Sequence, residues 1–117
     1  MNLENAIAAH AEWKSRLRIA IRKQEKLDAD EIALDDQCPL GKWLHGEGKG
    51  QYGRLAYFSN CVTKHAQFHK SAAHVARTIN AGKYGEAQTM LGLGSPYAEA
   101  STAVAVAIIH LRREAGI

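Results

Sequence analysis

Residues 54–81 carry the most regular hydrophobic pattern in the chain and read RLAYFSNCVTKHAQFHKSAAHVARTINA. One stripe recurs at alternating intervals of three and four residues, and its members are Leu55, Phe58, Val62, His65, His69, Ala72, Ala76 and Ile79. This heptad-like spacing predicts one long helix whose stripe packs against other helices of a bundle. Gly82 follows the pattern directly and is a typical helix stop.

Two further long helices are predicted on either side of this segment. The first covers residues 3–27, with Asn2 as its N-cap. Its buried stripe consists of Leu3, Ile7, His10, Leu17 and Ile21. The last covers residues 96–114, because Ser95 and Pro96 are a typical N-cap and first helical residue.

The segments between the long helices are short and contain most of the glycines. Residues 31–34 predict a helical turn, and residues 39–44 predict a short helix with its proline at the first position. The glycine-rich run 46–50 is expected to be a flexible loop. Residues 84–91 predict another short helix, closed by the glycines that follow it.

These elements predict an all-α fold, an antiparallel four-helix bundle with a short extra helix in the connecting segment. The chain has 117 residues, which is the length of one domain, so residues 1–117 are expected to form a single helical bundle domain. Hydrophobic residues make up 46% and charged residues 23%, a globular composition that excludes a disordered chain.

Charge and hydropathy exclude two classes of partner. The net charge is only +3 and the charges are interspersed, so no nucleic-acid partner is expected. No apolar run reaches about 18 residues, so no membrane span is expected. The N-terminus does not resemble an export signal, and the two cysteines are too few for a disulfide scaffold, so the protein is expected to be cytoplasmic with reduced thiols.

Histidines occupy positions on the buried stripes where apolar residues belong. His65 and His69 are one turn apart on one helix face, so both can hold the same ion. His10 is expected to face them from the first helix. A single core histidine is more often satisfied by hydrogen bonds than bound to a metal, but three on two inward stripes favour a metal site.

Cys38 in the connecting segment is the expected fourth ligand. Gly41 allows a close backbone approach there, and Leu40 and Trp43 can anchor the turn in the core. Three imidazole nitrogens and one thiolate form a closed, four-coordinate set suited to Zn(II), with a net charge of about +1. The predicted metal ligands are therefore His10, Cys38, His65 and His69.

The other candidate residues are expected to have ordinary roles. His74 should face away from the metal because it lies about half a helical circle from His65. His45 and His110 are expected to face solvent or to lie outside the ligand sphere. Cys61 is expected to be a small, half-buried residue, although a Cys38–Cys61 disulfide that competes with metal binding is a less favoured alternative.

The residues resemble a known family, the chemoreceptor zinc-binding domain of bacterial sensory proteins. The resemblance rests on His10-x-x-Trp13, on Cys38-x-Leu40-Gly41-x-Trp43 and on His65-x-x-x-His69. It implies a zinc-binding four-helix bundle that commonly forms a homodimer, with these same three histidines and one cysteine as ligands. It also implies a regulatory role beside a chemoreceptor signalling region or a diguanylate cyclase.

The favoured hypothesis is thus a zinc-dependent sensory or regulatory domain that senses zinc availability or oxidation of the zinc-bound thiolate. Four protein ligands leave no position for a catalytic water, and no phosphate loop or catalytic triad is recognisable, so an enzyme is not expected. Two alternatives remain. One is a helical sensor that binds haem or iron, and the other is a purely structural dimerisation bundle whose histidines are satisfied by hydrogen bonds.

Overall fold

The chain is entirely helical outside its turns. The computed structural model describes residues 1–117. The helices are α1 (Leu3–Lys23), α2 (Ala29–Ile32), α3 (Pro39–His45), α4 (Glu47–Tyr52), α5 (Ala56–Asn80), α6 (Tyr84–Met90) and α7 (Pro96–Ala115). The predicted all-α class is therefore confirmed, as are the three long helices and the short helix after Cys38.

Both predicted N-caps are confirmed. The Asn2 side-chain oxygen accepts a hydrogen bond from the Asn5 N–H at 3.0 Å. The Ser95 hydroxyl oxygen accepts one from the Ala98 N–H at 3.1 Å, and Pro96 occupies the first helical position. Each cap satisfies a backbone N–H that has no partner within its own helix.

The first helix is shorter than predicted and does not reach Leu27. It ends at Lys23, because Gln24 adopts the left-handed conformation with φ of 57° and its N–H bonds back to the last turn. The hydrophobic pattern continues to Leu27, but the backbone of Leu27 forms its hydrogen bonds outside α1. Its N–H and its carbonyl both pair with the side chain of Asn80 on α5, each at 2.8 Å.

Contacts at one end of the molecule define the helix directions. Glu4 near the start of α1 pairs with Arg112 near the end of α7. Glu114 near the end of α7 accepts a hydrogen bond at 2.8 Å from the Tyr57 N–H in the first turn of α5. Hence α7 runs antiparallel to both α1 and α5, and α1 and α5 run in the same direction.

The short helices pack around the three long ones. Helix α2 lies on α5, α3 contacts both α1 and α5, and α6 contacts the same two helices.

The core contains fully buried Leu17, Phe68, Ile108 and Leu111. Cys61 belongs to this core with no exposed surface, so the expectation that it is half-buried is wrong. No helix combines the length and the apolar composition needed to cross a bilayer.

The glycine-rich run after Trp43 is helical, and the prediction of a flexible loop at residues 46–50 is wrong. Gly48 lies against the indole ring of Trp43, where a Cβ atom would come within 2.6 Å of a ring carbon. The missing side chain thus allows α4 to pack directly on the indole. This gain from tertiary packing outweighs the poor helix propensity of glycine.

Candidate metal centre

The four predicted ligand residues come together at one point. Their donor atoms all lie within 4.8 Å of one another. His10 lies near the middle of α1, Cys38 is the N-cap of α3, and His65 and His69 lie one turn apart on α5. Because α3 contacts both α1 and α5, Cys38 at the start of α3 lies where these three helices meet.

Three of the four donor atoms lie close enough together to share one small tetrahedral ion. The Cys38 Sγ atom lies 3.2 Å from His65 Nε2 and 3.6 Å from His69 Nε2. The two Nε2 atoms are 3.0 Å apart. With Zn–N bonds of about 2.0–2.1 Å and a Zn–S bond of about 2.3 Å, tetrahedral geometry places donor atoms about 3.3–3.6 Å apart. The two shorter distances would therefore have to widen slightly for these atoms to share the ion.

Backbone carbonyls fix the orientation of two of the imidazole rings. The Nδ1–H of His10 donates to the Ala6 carbonyl at 2.7 Å, one turn earlier on α1. The Nδ1–H of His69 donates to the Ile32 carbonyl of α2 at 2.9 Å. Because Nδ1 carries the proton in each ring, the Nε2 lone pair faces the cluster, as in most metal-bound histidines.

Two buried ring atoms in the cluster lack a hydrogen-bond partner, His10 Nε2 and His65 Nδ1. An acceptor nitrogen that is removed from water and left unpaired carries a free-energy cost. For His10 Nε2, a cation among the four donors would remove that cost. The donor set and its unpaired lone pair therefore fit a Zn(II) ion.

Burial favours the metal-binding form of the histidines. Burial, together with smaller repulsion from His69 and His10 when those rings are protonated, lowers the pKa of His65 to about 3. Burial also lowers the pKa of His10. The His10 and His65 rings are consequently neutral and free to bind a cation. Burial raises the pKa of the Cys38 thiol, so its thiolate form depends on positive charge nearby.

The Cys-x-Leu-Gly-x-Trp spacing has a local structural reason. The Cys38 Sγ atom caps α3 by accepting a hydrogen bond at 3.3 Å from the Gly41 N–H. Gly41 must lack a side chain because a Cβ atom there would overlap the backbone carbonyl of Asp35. Leu40 and Trp43 are 1% and 9% exposed and anchor the helix in the core. The motif thus holds the sulfur in one place.

Solvent reaches the cluster from the cysteine side. Cys38 is half-buried, whereas the three histidines are at most 5% exposed. One cleft of about 310 Å³ is lined by Cys38 and His69, and a second of about 330 Å³ is lined by Cys38 and His10. Trp13 lines both clefts. His65 lines neither cleft.

The remaining histidines and the second cysteine lie outside the cluster. His74 is exposed, as predicted. His45 pairs with Asp35 at 3.1 Å, and the His110 ring lies 4.7 Å from that of Tyr57. Cys61 is a free thiol whose burial raises its pKa to about 12, and Cys38 is also free.

Sequence reasoning missed the two carbonyl groups that orient the rings. The Ala6 carbonyl follows from helix geometry, because it lies four residues before His10 on the same face. The Ile32 carbonyl could not be predicted in this way, since its contact with His69 depends on how α2 packs against α5.

A comparison with protein families agrees with this arrangement. The family described as the chemoreceptor zinc-binding domain matches residues 10–76, more than half of the chain. All four residues of the cluster lie inside the matched region. No match was found among curated proteins or among solved structures. The chain belongs to the chemoreceptor zinc-binding domain family.

Proposed function

We propose that this chain is a zinc-dependent sensory domain that binds one Zn(II) ion through His10, Cys38, His65 and His69. The observation that carries the proposal is the convergence of three imidazole nitrogens and one sulfur within 4.8 Å, inside a helical core. Membership in a zinc-binding family supports the identity of the metal. The nitrogen and sulfur donors fit zinc better than magnesium or calcium, which prefer oxygen ligands.

The closed ligand set favours a regulatory role over catalysis. Four protein donors complete the usual coordination of a structural zinc site and leave no position for a reactive water. The ligands come from α1, from the start of α3 and from α5, so zinc binding ties three elements together. Metal occupancy would therefore change how firmly these elements are held, which is a physical basis for sensing zinc.

Oxidation of Cys38 is the second candidate input. A bound Zn(II) ion would keep the Cys38 sulfur as a thiolate. That sulfur can attack an oxygen of a peroxide, so that an S–O bond forms, the O–O bond breaks, and hydroxide leaves. The product is a Cys38 sulfenic acid, a poorer ligand than the thiolate. The two clefts beside Cys38 supply the access this reaction needs.

The geometry supports a compact ion better than a haem. The ring centres of His10, His65 and His69 lie only 4.5–5.6 Å apart, so the rings touch one another. A macrocycle between any two of them would require these rings to separate. The purely structural alternative predicts that the histidines have internal partners, but His10 Nε2 has none.

We also propose, on the basis of the family, that this domain takes part in bacterial signalling. Chemoreceptor zinc-binding domains belong, by their description, to chemoreceptors. The partner of this domain would be a chemoreceptor signalling region or a diguanylate cyclase, and the domain itself would form a homodimer.

The test of the proposed function is elemental analysis of protein purified without added metal. We expect about one zinc per chain, and reduced zinc in Cys38→Ser. Absorbance spectra of the same samples test the haem alternative, because an intense Soret band would replace the zinc hypothesis. An unchanged melting temperature after chelation would favour the structural bundle instead.

A further inference from the structure

Helix α2 is fastened to α5 at both of its ends. At its C-terminal end, the Ile32 carbonyl accepts the hydrogen bond from His69 Nδ1–H at 2.9 Å. At its N-terminal end, the side chain of Asn80 makes two hydrogen bonds to the backbone of Leu27, with its oxygen accepting and its nitrogen donating, each at 2.8 Å. A metal-cluster residue and an asparagine three turns further along α5 thus hold the same short helix.

The side chain of Asn80 forms hydrogen bonds with backbone groups of Leu27, a residue that lies between α1 and α2. The chain has left α1 at Gln24, so the Leu27 N–H has no backbone partner, and the Leu27 carbonyl has only the Ala29 N–H, at 3.0 Å. Asn80 is half-buried, and its amide group supplies one acceptor and one donor to the same residue. This pairing fixes the position at which the chain enters α2, because Asp28, the next residue, is the N-cap.

The position of α2 in turn determines the direction in which His69 presents its lone pair. The Ile32 carbonyl is only five residues beyond Leu27, and α2 is a single helical turn between them. Ile32 is 8% exposed and therefore packed in place. A shift of α2 would move the carbonyl away from His69 Nδ1, and the ring would lose the partner that aims Nε2 at Cys38 and His65.

We infer that Asn80 is a positioning residue for the metal centre, acting through Leu27, α2 and the Ile32 carbonyl on His69. This inference rests on the proposed zinc site. Asn80 lies beyond residue 76, where the family match ends. By reciprocity, if Asn80 strengthens metal binding, then metal binding strengthens the contact between Asn80 and Leu27.

The first test measures metal binding by Asn80→Ala. Changes to groups that orient a metal ligand typically weaken binding by about 10–100-fold, and we expect about tenfold weaker Zn(II) binding in a competition assay with a chelator dye. Co(II) serves as the spectroscopic probe. We expect the d–d absorption of the Co(II)-loaded variant to differ from that of the wild-type protein, which a purely structural loss of stability would not cause.

Arg77→Ala is the matched control. Arg77 also joins α5 to α2, through an ion pair with Asp30 at 3.3 Å, but both side chains are largely exposed. An exposed ion pair of this kind contributes little to stability, so the position of α2 should not change. Zinc affinity and the Co(II) spectrum should therefore stay at their wild-type values. If Arg77→Ala and Asn80→Ala weakened zinc binding equally, Asn80 would have no special positioning role.

The second test uses the unmodified protein and so does not depend on whether a variant folds. We expect Zn(II) to slow hydrogen exchange of the Leu27 amide, which donates to Asn80, at least tenfold relative to the metal-free protein. Unchanged exchange at Leu27 in protein that does bind zinc would overturn the inference and leave the zinc site intact. Absence of zinc binding by the wild-type protein would overturn the proposed function and this inference with it.

Discussion

The Sγ atom of Cys38 lies 3.2 Å from Nε2 of His65, although 27 residues separate the two in sequence. Burial raises the pKa of the thiol and lowers that of the imidazole, so neither group gains charge by this contact alone. A cation shared between them would make the arrangement favourable, because it would stabilise the thiolate and accept the ring lone pair.

Removal of one predicted ligand on α5 should abolish zinc binding, whereas removal of a neighbouring histidine should not. His65 is fully buried in the cluster, and His74 is exposed on the same helix. We expect about one zinc per chain in the wild-type protein and in His74→Ala, and almost none in His65→Ala. Elemental analysis of the purified proteins provides the measurement. Equal zinc content in the two variants would count against the site.

A side chain at Gly41 should displace the turn that carries Cys38. A Cβ atom there would overlap the Asp35 carbonyl, so Gly41→Ala should destabilise the protein by about 1–3 kcal/mol, as overpacking typically does. The control is Gly50→Ala in α4, where nothing lies within 4 Å of the added atom. That change should be neutral or stabilise the helix by up to about 1 kcal/mol. Thermal unfolding distinguishes the two, and equal melting temperatures would contradict the packing described.

Metal removal should loosen the connecting segment and leave the long helices in place. Helices α5 and α7 share an apolar core that does not depend on the ion, whereas residues 28–53 are tied to the centre through Cys38 and the Ile32 carbonyl. After chelation we expect most of the helical circular dichroism to remain, and hydrogen exchange to accelerate mainly within residues 28–53. A random-coil spectrum for the metal-free protein would contradict this prediction.

Peroxide should oxidise one of the two cysteines selectively. Cys38 lines both clefts, while Cys61 has no exposed surface and a pKa that burial raises to about 12. Because the thiolate is the reactive form, Cys38 should react first, and zinc should be released as it does. Peptide mass spectrometry after mild treatment locates the modification, and a metal-sensitive dye follows the release. Oxidation of Cys61 ahead of Cys38 would exclude the proposed redox input.

The sequence was sufficient to predict the features that depend on spacing along one helix. His65 and His69 lie four residues apart within a regular stripe, so their shared face follows from helix geometry. The place of Cys38 beside them was predictable from its motif, in which Gly41 and the apolar anchors indicate a tightly packed turn. These residues lie together as expected.

Features that depend on contacts between distant segments were not predictable. The helix at residues 47–52 forms because Gly48 packs on Trp43, which its local propensity does not indicate. The chain leaves α1 at Gln24, and the Leu27 backbone pairs with the side chain of Asn80, 53 residues away, instead of continuing the helix. In both cases tertiary packing overrides a local pattern.

X-ray absorption at the zinc edge of the purified protein tests the central claim most directly, because it counts the atoms bound to the metal. The proposed site predicts three nitrogen neighbours at about 2.0–2.1 Å and one sulfur neighbour at about 2.3 Å. The sulfur contribution should disappear in Cys38→Ser and persist in Cys61→Ala. A wild-type spectrum with only nitrogen and oxygen neighbours, or a sulfur contribution that survives in Cys38→Ser, would contradict the account.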